Sequence, residues 1–173
     1  MVRRAAEIAV LATGLSLLAI AGWRQIQRAA FQSQPRLAYA LRPGLKILGK
    51  LEIPRLGLAA IVVEGADEKQ LSVAVGHLAG TAAPGANGNV VLAGHRDAEF
   101  RALRSIRIGD RLRVTTDRNY IYVVSRIRIV AAEDVTPLAD QSTPLLTLIT
   151  CYPFRYVGDA PKRFIVQAEL AGS

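Results

Sequence analysis

The sequence predicts an all-β domain, a closed or nearly closed barrel, carried behind an apolar N-terminal segment. Three observations predict it. From Lys46 onward, seven or eight short runs rich in Val, Ile, Leu and Thr alternate with turn residues. At most two or three segments show helical spacing. A run of 19 residues with one charge, Glu7, precedes them all. The 173 residues contain no internal repeat and suit a single domain with a substantial core.

Taken in order, Ala5 to Trp23 (AAEIAVLATGLSLLAIAGW) would reach about 28 Å as a helix, close to the ~30 Å of a bilayer's hydrocarbon. Arg3 and Arg4 could open a signal peptide, but the apolar run exceeds the roughly 7 to 15 residues of a usual signal core. The expectation is therefore an uncleaved, single-pass anchor over residues 1–24, with Trp23 at the interface. Arg24 and Arg28 offset Arg3 and Arg4, so charge alone leaves the orientation open. Residues 25–44, with glutamines and two prolines, read as a linker, and residues 45–173 as the β domain.

Within that domain, LKILGKLEIPRLGL and AAIVVEG predict the first two strands, with Pro54 at an edge or bulge. DEKQLSVAV, from Asp67 to Val75, has an acidic start and helical spacing and predicts a short helix. Gly80 to Gly88 (GTAAPGANG) lacks the Gly-Lys-Ser/Thr of a phosphate loop and precedes a strand, NVVLAGH, so it reads as a turn-rich connector. Ala98 to Ile106 suits a short helical turn. RLRVTTD and NYIYVVSRIRIV predict a hairpin about Asp117-Arg118-Asn119, with a change of phase near Ser125 that marks a bulge. The loop AAEDVTPLADQSTP leads to PLLTLITC, and RFIVQAEL closes the sheet.

The chain is basic, +8 overall, and half of that charge lies in the first 36 residues, where five arginines face one glutamate. Arginines at 101, 104, 107, 111 and 113 lack interleaved aromatics or a recognition helix, which argues against nucleic acid and for a solvated face. A single cysteine excludes an internal disulfide and a Cys-rich zinc site. Glu52, Glu64, Asp67, Glu68, Glu133 and Asp134 are scattered without calcium-loop spacing, so no obligatory metal is expected.

That cysteine, Cys151, ends an apolar run, and Pro153 forbids the strand to continue in a central ladder. A thiol at a rim, a histidine and a fixed cation are what acyl transfer through a thioester needs. His95 also stands at a strand exit. Arg163 keeps its charge and offers five donors for a developing oxyanion; Arg155 is the nearer alternative in sequence. Asp97, two residues from His95 on an extended chain, would not meet the ring.

TLITCYPF, with GHRD at Gly94 to Asp97 and APKRFIVQA at Ala160 to Ala168, resembles the sortases, membrane-bound cysteine transpeptidases of bacterial surfaces, and most of all their class D. The resemblance covers roughly residues 49–168. It implies an eight-stranded β-barrel with one or two short helices, and a catalytic set of Cys151, His95 and Arg163. It implies further that Thr150 contributes to the oxyanion region and that His77 lines the pocket. The implied reaction cleaves a C-terminal LPXTG-like sorting signal and passes the threonine carbonyl to an amine of a cell-wall precursor or surface acceptor. The implied location is the cell membrane with the catalytic body outside. A sortase-fold hydrolase and a non-catalytic, membrane-anchored adaptor are the rival expectations.

Overall fold

In the runs that the sequence marks as strands, side chains on one face are apolar and those on the other are mixed, a period of two that a sheet with one dry face requires. The computed structural model describes residues 2–33 and 44–172. Its strands are β1 (Ile47–Ile53), β2 (Leu58–Glu64), β3 (Val75–His77), β4 (Asn89–Ala93), β5 (Arg111–Thr115), β6 (Asn119–Ala131), β7 (Leu145–Tyr152) and β8 (Lys162–Gly172). They close into a barrel in the order β1-β2-β3-β4-β7-β8-β6-β5. Leu51, Ile53, Leu92, Leu112, Tyr122, Leu146, Leu148 and Val166 fill the interior and are fully buried. Each such side chain contributes about 1.5–3 kcal/mol over an exposed one.

Two pairings in the barrel are parallel, β2 with β3 and β4 with β7. The second matters most here. Parallel strands end at the same rim, so β4 and β7 deliver their last residues side by side. β8 then returns antiparallel to β7, bringing its first residues back to that rim.

Several elements depart from the sequence expectation. Pro54 ends β1 and opens a 3-10 turn, Pro54–Leu56, because it has no N–H for the ladder; Gly57, with φ of 61°, then turns the chain into β2. The helix expected from Asp67 to Val75 is a single turn, α2 (Glu68–Leu71). β-branched Val73 and Val75 leave it, and β3 begins at Val75. The bulge near Ser125 is present as a register shift between Val124 and Arg126 against β8.

The N-terminal helix, α1 (Val2–Ser33), runs past Trp23 into the stretch expected to be linker. The reason is local: neither Gly nor Pro occurs between residues 24 and 33, and Arg, Gln and Ala there favour helix. The rest of the expected linker, 34–43, lies outside the described residues. Among the described residues no helix is long and apolar enough to cross a membrane.

Candidate functional site

The outward face of β4, β7 and β8 forms a shelf of three strands. Ala93 on β4 lies opposite Ile149 on β7, so two residues further along each chain His95 comes level with Cys151. Cys151 in turn pairs directly with Arg163 on β8. Histidine, cysteine and arginine thus form one row across three neighbouring strands, with the sulfur in the middle. Period two puts all three on the face opposite Leu92, Leu148 and Phe164, whose side chains enter the core.

Each member of the row is held from behind. Gly94 donates its N–H to Ile149 O at 3.2 Å, continuing the β4–β7 ladder to the residue before His95. A Cβ at Gly94 would meet the Phe100 ring at 2.9 Å, so only glycine allows the 3-10 segment Glu99–Ser105 to pack so near the strand exit. The His95 carbonyl accepts the N–H groups of Ala98 and Phe100, while its ring nitrogens have no hydrogen-bond partner among the described residues. Arg163 Nη1 donates to Ala160 O and Lys162 O, both at 3.0 Å. That leaves Nε and Nη2 without a hydrogen-bond partner among the described residues. Tyr152, Phe154 and Phe164 pack as an aromatic cluster beneath the chain leaving Cys151, with centroids 5.1–6.3 Å apart.

Two residues expected at the oxyanion region or pocket have their side chains engaged elsewhere. Thr150 is buried, and its hydroxyl donates to Gly94 O at 2.6 Å, so the hydroxyl clamps β7 to the residue before His95 and is not free to meet a substrate. His77 shares its face of β3 with core residue Val75, opposite Leu92, so it faces away from the row. Its Nδ1 lies 3.3 Å from Glu64 Oε1, and its Nε2 is 3.0 Å from Ala82 O and 3.1 Å from Thr81 Oγ1. With both nitrogens engaged, His77 secures the turn at 78–82.

Beside the row lies a cavity of about 620 Å³ lined by Arg96, Asp97, Arg101, Arg104, Phe154 and Arg155. One wall follows His95 and the other follows Cys151. Sequence reading assigned Arg101 and Arg104 to a solvated face; the usable signal was their spacing of three in a 3-10 segment, which stacks them on one side. Among the described residues no group of three His, Cys, Asp or Glu side chains is arranged to hold a metal ion.

Known proteins resemble this chain in sequence and in fold. The family described as Sortase domain matches residues 51–171. A curated relative, Sortase D of Bacillus subtilis (strain 168), is 40% identical over 120 residues, covering 68% of this chain and 61% of that protein. Sortase A of Bacillus anthracis is 29% identical over 153 residues, 81% of this chain and 69% of that protein. Among solved structures, the Clostridium perfringens Sortase D5 transpeptidase aligns with a TM-score of 0.67 at 25% identity, covering 86% of this chain and 95% of that one. Sortase A from Corynebacterium diphtheriae gives 0.70 at 28%, covering 83% and 71%.

Proposed function

The chain belongs to the sortase family, and on that premise we propose that it is a cysteine transpeptidase acting on the C-terminal sorting signals of surface proteins. The observation that carries the proposal is the row of His95, Cys151 and Arg163 across β4, β7 and β8. A thiolate is the competent nucleophile. Cys151 Sγ attacks the scissile carbonyl, the Arg163 guanidinium stabilises the oxyanion, and the peptide C–N bond breaks as the His95 imidazolium protonates the departing amine. The neutral imidazole then takes a proton from the incoming amine as its nitrogen joins the acyl carbon and the C–S bond breaks. No cofactor enters either step.

The signal is of the LPXTG type, cut after its threonine, and the acceptor is an amine of a cell-wall precursor or partner protein. We assign the chain to the cell membrane through α1, although this helix is not apolar enough over its described length to count as a spanning one, with the barrel outside the cytoplasm. Support for the anchor comes from Val10, Leu11, Leu15, Leu17, Leu18, Ile20, Trp23 and Ile26, large apolar side chains that α1 exposes. At 100° per residue they occupy every side of the helix, a distribution that suits lipid better than water.

The test is incubation of the full chain with an LPXTG-type peptide and triglycine, followed by mass spectrometry. A thioester on Cys151 and a product carrying the amine are expected. A thioester released only to water would make the protein a hydrolase, and an unmodified peptide would make it an adaptor.

A further inference from the structure

The cavity beside the row is lined by four guanidinium groups and one carboxylate. None of Arg101, Arg104 and Arg155 has an ion-pair partner among the described residues. Arg96 is held in place, its Nη2 donating to Tyr156 O at 3.0 Å and Gly158 O at 3.2 Å, its guanidinium 5.8 Å from the Tyr156 ring centroid. Its other terminal nitrogen, Nη1, is buried without a hydrogen-bond partner. That nitrogen is closed off from solvent, whereas Arg101, Arg104 and Arg155 are exposed on the cavity wall, and their unpaired charge is what a partner in the cavity would meet.

Position gives that partner its role. Two of its walls are the segments that leave His95 and Cys151, so a molecule in the cavity lies next to the residue that must take the amine's proton. We propose that this cleft is the acceptor site, and that it takes an amine bearing an anionic group, a carboxylate or a phosphate, on the same small molecule. The inference rests on the transpeptidase reading and adds the chemical class of its second substrate. The anion meets the Arg101 and Arg104 pair, with Arg155 on the same cavity's wall. The amine forms its bond to the acyl carbon as Cys151 leaves as thiolate and the amine proton passes to His95.

The experiment uses the full chain acylated by an LPXTG-type peptide and measures, on one acyl-enzyme population, the ratio of aminolysis to hydrolysis. Matched acceptors, glycine against glycinamide and 2-aminoethyl phosphate against ethanolamine, are compared at equal concentrations of free amine, so that the anion is the difference read. An anionic acceptor raises the ratio about tenfold over its neutral partner, the size of one good charge-assisted hydrogen bond. The advantage shrinks in the double variant Arg101→Gln, Arg104→Gln and in 0.5 M salt, where screening acts over only a few Å. Whether the carboxylate pair or the phosphate pair shows the larger gain identifies the source of the anion. The ratio is internal to each sample, so partial misfolding of a variant leaves it readable. Equal ratios for charged and neutral acceptors, with a thioester present, would overturn the anion site alone; no thioester at all would overturn the transpeptidase reading beneath it.

Discussion

The shelf formed by β4, β7 and β8 carries polar side chains at both of its ends, and the two ends behave as opposites. At the lower end Asn89 Nδ2 donates to Pro137 O and Ala139 O, its Oδ1 accepts from Thr147 at 2.7 Å, and Gln167 donates to Pro137 O. Segment 132–144 lies over this group, and all three side chains are buried. At the upper end His95, Cys151 and Arg163 are half-exposed and keep donors or lone pairs unspent. A polar row that satisfies itself holds a fold together, whereas one that does not is available to a substrate.

The sharpest way to break that contrast is at the sulfur. Cys151→Ala removes the nucleophile, so transfer should fall to background, at least ~1000-fold, by mass spectrometry of the products. Calorimetry should show a melting temperature within about 2 °C of the parent, as for a substitution away from the core. A drop of ten degrees would make the upper row structural after all. Arg163→Lys keeps the charge but loses the fork of donors, and a loss of about 100-fold in kcat is expected with little change in stability.

The upper row was legible before any fold was known, because Cys151 and His95 each stand where an apolar run stops, at Pro153 and at Gly94. Their pairing was not, since it depends on β4 and β7 being parallel neighbours although β5 and β6 lie between them in sequence. Thr150 and His77 could be placed beside the motifs but not oriented; strand parity buries both, and hydrogen bonds to Gly94 and to the 78–82 turn use them up. The lower row left no trace in the sequence, because Asn89, Thr147 and Gln167 lie in three distant segments. The helix ending at Leu71 was overestimated because Val75 satisfies a helical stripe and a strand equally well.

The lower row predicts the opposite signature. Asn89→Ala orphans the hydroxyl of Thr147 and leaves the carbonyls of Pro137 and Ala139 only the longer bonds from Gln167 and Gln141, costing about 2–4 kcal/mol in urea unfolding, while transfer per folded molecule stays within about twofold. Between the two ends, Thr150→Val removes one buried hydrogen bond to Gly94. A cost of about 1 kcal/mol in stability and roughly tenfold in kcat is expected through displacement of His95. Thr150→Ser, which keeps the hydroxyl, should recover most of the rate; failure to recover would mean that the methyl group and not the bond sets the position.

The smallest effect concerns what supports the rim from outside the shelf. Arg55, in the turn after β1, forms a two-point ion pair with Asp110 and donates to Ser105 O, so it anchors the end of the segment that carries Arg101 and Arg104. The guanidinium of Arg55 holds the Asp110 carboxyl below the usual carboxylate range; burial opposes this, and the backbone N–H of Arg107 adds to it. A carboxyl whose folded value is depressed contributes stability above its unfolded pKa of about 3.9, and that contribution is lost as pH falls toward the folded value. Asp110→Asn should therefore cost about 1 kcal/mol at pH 7, a modest amount because the Arg55 side chain is 41% exposed and the pair is screened by water. The gap between the variant and the parent should narrow in thermal melts below pH 4. A gap that stays constant to pH 2 would show that the side chain's shape, and not its charge, is what the rim uses.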